Sequence, residues 1–445
     1  MKASYYNFII EGEQKKDGIY YNARTGSLSY LNEEYHTKFQ DFLKNKNEIT
    51  DKTFRNNLVY CGFLVEDDFD EKLDIKMRMF QAKYENSALS LTIAPTMACN
   101  FRCVYCFEQG YYEMGSMTEE TEQQICDFVI QEAGHLEKLA ITWYGGEPLL
   151  AIQRIESLSK KFIQICEELH IEYEATMITN GYLLSEEICN RFIECKTYDV
   201  QITIDGEESV HNKRRKLIDG SKTYEKIMEN IEQVCRNIQV AIRMNIDSQN
   251  MEHIKRFMED LKRRGIYEEV FCYFAFVTET NGVCRDCNSM SNETYSKFHL
   301  QLLKENKIPL KDFYPKPIGN YCGADYGQGY VIDPKGNLYK CWSDIGRKER
   351  RIGTLEQWTS EKYIFDKKSD ITHTQVQKMM SEYMMYDPTE DSYCMECKIL
   401  PLCMGGCPRS RIEKKPVCDQ YRYSIQEYME AYGRELLRER GEGLC

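Results

Sequence analysis

The chain lacks any apolar run approaching the roughly 18 residues that a membrane-spanning helix requires. Its first residues, Met1-Lys2-Ala3-Ser4-Tyr5-Tyr6, lack the apolar core of a signal peptide. Neither membrane insertion nor export is expected, and the chain reads as cytoplasmic. A basic excess is missing too: 58 Lys and Arg stand against 71 Asp and Glu, a formal charge of -13. That balance argues against a nucleic-acid partner held by phosphate contacts. Internal repeats and low-complexity tracts are absent, and a chain 42% hydrophobic and 29% charged has ordinary globular composition rather than that of a disordered protein. Histidine is scarce, with seven in all.

Cysteine is what the chain has in excess: 20 among 445 residues. With no export signal, metal or catalytic duty outranks disulfide bonding. At roughly 150 residues per domain the length suggests about three domains, and three stretches differ in character. Residues 1–85 show short strands at Tyr5–Ile10, Gly18–Tyr21 and Ser27–Leu31, then helices at Asn32–Leu43 and Asp51–Cys61, then a strand at Phe63–Val65. That order suits a winged-helix-like module, followed by a charged linking helix over Glu66–Lys83.

Residues 86–310 alternate strands with amphipathic helices. The strands are Leu89–Pro95, Leu139–Trp143, Glu172–Ile178, Tyr198–Ile204, Val240–Ile246 and Val270–Val277. Helices are expected after Thr118, an N-cap, and over Gln153–His170, Ser185–Cys195, Thr223–Asn237 and Asn250–Arg264. Six βα units in a row make an α/β domain with a parallel sheet, either open or curled into a full or partial barrel. Such sheets place ligands at the carboxyl ends of their strands. In residues 311–445 the alternation stops, strand signals become sparse, and cysteine and glycine become frequent. Metal is expected to hold this stretch together.

Straight after the first barrel strand come Cys99, Cys103 and Cys106, at spacings x3 and x2. Thiolates hold iron–sulfur clusters, usually four per cluster. Three ligands leave one iron open to a small molecule. Structural zinc would want a fourth ligand nearby, and no histidine lies in the loop.

CxxxCxxC with an aromatic, Tyr105, before the last cysteine resembles the signature of radical S-adenosylmethionine (radical SAM) enzymes. Gly145-Gly146-Glu147-Pro148 after the second strand resembles the family's GGEP motif, which contacts the methionine amino group. Thr179-Asn180-Gly181 ends the third strand, and Thr203-Ile204-Asp205-Gly206 ends the fourth, with His211 and Arg215 beyond. The resemblance implies that Thr203 hydrogen-bonds the cofactor and that Arg215 pairs with its carboxylate, a task suited to guanidinium. Arg243-Met244-Asn245-Ile246 on the fifth strand resembles a further element, making Arg243 a cofactor-binding candidate. The implied fold is a partial (β/α)6 TIM-like barrel, with the winged-helix-like module before it and a Cys-rich iron–sulfur domain after it. The implied chemistry is reductive cleavage of S-adenosylmethionine to a 5′-deoxyadenosyl radical, which takes a hydrogen atom from the substrate.

Seven further cysteines, Cys322, Cys341, Cys394, Cys397, Cys403, Cys407 and Cys418, resemble the SPASM extension, which holds two auxiliary [4Fe-4S] clusters. Two zinc knuckles are the alternative. By resemblance Cys394, Cys397, Cys403 and Cys418 hold the distal cluster, and Cys322, Cys341 and Cys407 the nearer one. That leaves one auxiliary iron either open or ligated by Cys284 or Cys287. Cys61, Cys126, Cys166, Cys189, Cys195, Cys235 and Cys272 read as small buried hydrophobes, and Cys445 as incidental.

SPASM relatives act mostly on peptides or proteins. In anaerobic sulfatase-maturating enzymes a carboxylate directly follows a SPASM cysteine, whereas Cys341 is followed by Trp342-Ser343 and Asp344 comes third. The N-terminal order resembles the leader-binding element of ribosomal peptide maturases, which adds the leader as a strand; a structural cap is the other reading. The expected activity is thus a peptide maturase forming a Cys thioether, with a carbon–carbon link, epimerisation or sulfatase maturation as alternatives. A non-catalytic iron–sulfur electron carrier is the reading from another class. Expected partners are a ribosomal precursor peptide with its leader and an electron donor such as flavodoxin or ferredoxin.

Overall fold

The computed structural model describes residues 1–12, 16–277, 291–306, 308–358, 372–415 and 417–439. The chain divides into two compact units. One comprises Met1–Tyr84, Ser291–Cys322 and Tyr386–Cys445; the other comprises Glu85–Met290 and Gly323–Met385.

The second unit is built on β1 (Ala88–Thr96), β2 (Lys138–Gly145), β3 (Glu172–Thr179), β4 (Thr197–Thr203), β5 (Gln239–Ile246) and β6 (Val270–Phe276). They lie side by side in sequence order, all parallel, as the alternating pattern demanded. The sheet is that of a partial barrel. Helices α1 (Glu119–Glu132), α2 (Ile152–Leu169), α3 (Glu186–Glu194), α4 (Tyr224–Val234) and α5 (Ile254–Arg263) follow the first five strands. Thr118 caps α1 by accepting from the Thr121 N–H, and Ser185 caps α3 through the Ile188 N–H.

Alternation within the strands sorts the two faces. Leu89, Leu91, Leu139, Ile141, Trp143, Met177, Ile202, Ile242 and Met244 are almost wholly buried. Burying each such side chain contributes about 1.5–3 kcal/mol. The intervening residues, Thr92, Thr142, Tyr144, Thr176, Gln201, Arg243 and Tyr273, are only half-buried, and nearly all of them are polar. They line the opposite, concave face.

The parallel sheet does not stop at β1. β7 (Gly329–Ile332) adds to the free edge of β1 in parallel, and β8 (Asn337–Tyr339) and β9 (Gly353–Thr354) continue it antiparallel. The four-residue Gly-Tyr-Val-Ile run was too short to announce a strand by pattern; an edge supplied by a strand more than 200 residues earlier pairs it.

In the first unit, Asn7–Glu11, Gly18–Asn22 and Ser27–Leu31 form an antiparallel meander. Helices Glu33–Asn45 and Lys52–Tyr60 follow, capped by Asn32 and Asp51, and Leu64–Val65 pairs with Lys2–Ala3. Tyr20, Phe39, Phe54, Leu58 and Phe63 form the core of this module. The expected linking helix starts later than its charge pattern suggests, at Glu71, because Asp70 Oδ1 takes the N–H groups of Lys72 and Leu73. Among the described residues no helix is long and apolar enough to cross a membrane.

Candidate active site

At the carboxyl end of β1 the pairing with β2 shifts register between Ile93 and Thr96, and the chain turns into the cysteine loop. β2 ends beside it in Gly145-Gly146-Glu147. The Gly146 N–H donates to the Thr96 carbonyl at 3.1 Å and the Glu147 N–H to the Ala98 carbonyl at 2.9 Å. A Cβ on Gly146 would sit 2.4 Å from the carbonyl oxygens of both Met97 and Ala98, and one on Gly145, whose φ is +115°, 2.4 Å from that of Thr96. The two glycines therefore let the cysteine loop lie directly on the backbone of the β2 end. The loop is pinned from the other side as well. Phe101–Cys103 pairs antiparallel with Arg215–Leu217, placing Cys103 opposite Arg215.

Within this frame the three thiols are close enough to act on one another electrostatically, and Cys99 also feels Glu147. Burial pushes the Cys99 and Cys103 thiols up, and that of Cys106 to about 12. Holding a metal here would require each thiol to lose its proton on binding. Among the described residues no three or more His, Cys, Asp or Glu are arranged around a single metal ion.

Glu147 is fully buried and accepts from Thr179 Oγ1 at 2.6 Å, the Asn180 N–H at 2.8 Å and the Leu149 N–H at 3.1 Å. Pro148 opens the short turn that supplies Leu149. A carboxylate offers about four lone-pair sites, so one remains for a further donor. Asn180 Nδ2 reaches Asn100 inside the cysteine loop at 2.8 Å.

Tyr105 is a hub. Its hydroxyl donates to Asp205 Oδ1 at 2.9 Å and accepts from Arg215 Nη1 at 2.8 Å and Asn245 Nδ2 at 3.2 Å. The neighbouring Arg214 is paired with two carboxylates, Asp205 at 3.0 Å and Asp247 at 2.9 Å, with only Nη2 left over. Arg215 is different: it lies buried over the Phe101 ring, beside Cys103, it has no carboxylate partner among the described residues, and its Nε has no hydrogen-bond partner. A buried guanidinium with an unused donor is a receptor for a carboxylate. His211 is kept neutral by burial and by both arginines, and takes the Asp205 N–H on Nδ1, a supporting role. Thr203 is buried at the end of β4, in register with Arg243, whose Nε donates to Asn245 at 3.0 Å.

The fit to a three-thiolate cluster and an amino-acid ligand is therefore good: three thiols, a buried carboxylate with spare capacity and an unspent guanidinium. A family model described as the radical SAM superfamily matches residues 93–261. Residues 93–261 are a radical SAM domain. Such domains use S-adenosylmethionine and a [4Fe-4S] cluster. Over 377 residues the chain is 24% identical to a cysteine-type anaerobic sulfatase-maturating enzyme of Clostridium perfringens, covering 77% of this chain and 95% of that one. A structure of native anSMEcpe with bound AdoMet and Kp18Cys peptide superposes with a TM-score of 0.60 at 21% identity, covering 80% of this chain and 100% of that one. Streptococcus suis SuiB bound to precursor peptide SuiA gives 0.51 at 14% identity, covering 93% of this chain and 97% of that one.

Residues not singled out as cofactor contacts complete this site, Asn245 among them although it lies in the Arg243–Ile246 motif. Asn245 and Asp247 share the end of β5 and anchor Tyr105 and Arg214. Glu108, two residues beyond Cys106, is buried and pushed up to about 8 by burial, opposed by a hydrogen bond from Tyr144. A charged residue so near the motif was the available signal.

The remaining cysteines divide between the units. Cys394, Cys397, Cys403 and Cys418 belong to the first, where Cys394 feels Cys397 and Cys418, and Cys403 feels Cys397 and Cys394. Cys322, Cys403 and Cys407 all act electrostatically on Tyr321 there. Cys341 belongs to the second unit, before Trp342, which stacks on Tyr144 at 5.3 Å. Cys126, Cys166, Cys189, Cys195, Cys235 and Cys272 are buried and Cys61 is half-buried, as hydrophobes should be. Cys284, Cys287 and Cys445 lie outside the described residues.

Proposed function

We propose that this chain is a radical SAM peptide maturase, its first cluster held by Cys99, Cys103 and Cys106. One observation carries the reading: the backbone seam from Gly146 and Glu147 to Thr96 and Ala98 fixes three thiols and a buried carboxylate together at the strand ends. When bound, the cluster and S-adenosylmethionine supply a radical that takes a hydrogen atom from an unactivated carbon.

The chain's own residues bind and orient. Glu147, backed by Thr179 and Asn180, receives the methionine ammonium on its spare lone pair. Arg215 offers its unused Nε to the methionine carboxylate while Tyr105, itself bonded to Asp205, holds its Nη1. Gly145 and Pro148 shape the turn, and Thr203 and Arg243 border the cofactor at the ends of β4 and β5. Thr142, Tyr144, Thr176, Gln201 and Tyr273 line the concave face that receives the substrate residue and shields it from water.

Two likenesses support a peptide or protein substrate. The Clostridium relative is a sulfatase-maturating enzyme, and SuiB has been seen with its precursor peptide. We read the product as a Cys thioether cross-link. Sulfatase maturation is the second reading, favoured by the Clostridium relative; Asp344, three residues after Cys341 rather than next to it, weighs against it. In this reading residues 1–85 recognise a leader, residues 86–310 form the barrel, and residues 311–445 hold two auxiliary clusters. Cys394, Cys397, Cys403 and Cys418 take one of these. The set Cys322, Cys341 and Cys407 rests on the resemblance to the SPASM extension alone. A flavodoxin or ferredoxin in the cytoplasm supplies electrons.

Anaerobically reconstituted, reduced protein incubated with S-adenosylmethionine should release 5′-deoxyadenosine, and Cys103→Ala should not. An electron carrier releases none in either form. Co-expression with a short cysteine-rich open reading frame adjacent to the gene should yield a peptide lighter by one pair of hydrogens per link. An unchanged or heavier peptide would remove the cross-linking assignment.

A further inference from the structure

Around Cys394, Cys397, Cys403 and Cys418 stand two arginine–tyrosine pairs. Arg422, in the first turn of helix Tyr421–Glu439, points Nη1 at Cys397 Sγ, 3.6 Å away, and its guanidinium lies 4.4 Å from the ring centre of Tyr393. The Tyr393 hydroxyl is 3.8 Å from Cys418 Sγ. Arg411, in the short helix Pro408–Ile412, lies 4.0 Å over the ring of Tyr386, whose hydroxyl is 3.8 Å from Cys394 Sγ. Arg411 Nη1 donates to the Gly406 carbonyl, while its Nε and Nη2 are buried with no hydrogen-bond partner. Neither guanidinium has a carboxylate partner among the described residues.

Two cations with no carboxylate partner beside four thiols are hard to explain as packing: Arg411 has two buried N–H groups without an acceptor, and half-buried Arg422 is answered by a cysteine sulfur. A buried N–H without an acceptor is destabilising, and burying an unpaired cation is more so. Thiolates around a polyanionic cluster would offset the charge part of that cost. A [4Fe-4S] cluster with four cysteines carries two negative charges when oxidised and three when reduced. Nearby cations and N–H···S or O–H···S hydrogen bonds stabilise the more negative, reduced form, and so raise the reduction potential.

We infer that Arg411 and Arg422, each stacked on a tyrosine that touches a cluster sulfur, raise the reduction potential of the auxiliary cluster held by Cys394, Cys397, Cys403 and Cys418. They are positioning residues, acting through Tyr386, Tyr393 and the cysteine sulfurs, and they touch no substrate. The inference rests on the auxiliary-cluster part of the proposed function.

The test is an anaerobic redox titration followed by electron paramagnetic resonance on the reconstituted full chain, with iron counted in each sample. Arg422→Gln should lower the midpoint of one cluster, the Arg411→Gln/Arg422→Gln double variant should lower it further, and Arg422→Lys, which keeps the charge, should fall between wild type and Arg422→Gln. The signal that responds to S-adenosylmethionine should keep its wild-type midpoint in every variant. An unchanged midpoint in the double variant, at wild-type iron content, overturns the inference. So does loss of one cluster's iron from Arg422→Lys and the Gln variants alike, which would make the arginines part of assembly instead. Wild-type protein that binds only the first cluster would overturn the auxiliary-cluster reading as well, and the iron count tells that failure from the other two.

Discussion

Cys103 and Arg215 are register partners on a two-stranded antiparallel ribbon, the cysteine loop forming one strand and the segment after the fourth barrel strand the other. The pairing couples the thiol proposed as a cluster ligand to the guanidinium proposed to bind the cofactor through backbone hydrogen bonds, so the positions of the two are fixed together while their side chains remain separable. Arg215→Met should leave cluster iron unchanged, because the ribbon survives, yet weaken S-adenosylmethionine binding tenfold or more, at least about 1.4 kcal/mol. Arg215→Lys should recover little of this, since an ammonium cannot span Tyr105 and the cofactor as a planar fork does. Equilibrium dialysis of reconstituted protein measures both, and an unchanged affinity in Arg215→Met would remove the assignment.

Gly146→Ala should act in the opposite way. The added methyl meets two backbone carbonyls at 2.4 Å, which no side-chain movement relieves. The cysteine loop must lift from the β2 end. The expected result is loss of the first cluster, read as a fall in iron of one cluster's worth and loss of 5′-deoxyadenosine release, in a chain that still folds by circular dichroism. Full iron in this variant would show that the seam is not what sets the thiols.

Most of this site was legible before any coordinates. The six strands announced themselves by apolar alternation, and each motif at a strand end, from Cys99 to Arg243, lies where a parallel sheet gathers ligands. What was not legible depends on partners distant in sequence. β7 is four residues of ordinary character made into a strand by the free edge of β1. Arg214 and Arg215 are adjacent and chemically identical, and only Asp205 and Asp247 reveal that the charge of the first is already paired. The tyrosines beside the C-terminal cysteines had no motif at all. Their meaning comes from rings and sulfurs brought together by loops.

Glu147→Gln separates cofactor binding from folding. Its three donors, from Thr179, Asn180 and Leu149, all point at carboxylate oxygens. An amide in their place turns one acceptor into a donor facing another donor. Leaving such a buried group unsatisfied costs about 1–3 kcal/mol. Urea unfolding of the metal-free protein should show that loss, and affinity for S-adenosylmethionine should fall in addition. A variant that loses affinity at full stability would mean that the carboxylate serves only the ligand.

His299 gives a pH dependence of its own. It lies in helix Asn292–Asn306, its ring 5.7 Å from that of Tyr295 and 5.3 Å from that of Phe313. Burial lowers it from 6.5 to about 4. Between those values the unfolded chain binds a proton that the folded chain refuses, so the difference in bound protons favours unfolding as pH falls. The stability concerned is fully present above about pH 6.5 and is lost as pH drops toward 4, by about 1.4 kcal/mol per pH unit and by at most about 3 kcal/mol in all. His299→Phe, which keeps an aromatic ring against Tyr295 and Phe313, should abolish this part of the slope. The check is denaturant unfolding of wild type and variant at pH 7 and pH 5: the variant should lose about 1–2 kcal/mol less than wild type across that interval. Equal losses would mean that the imidazole titrates normally and that water reaches it.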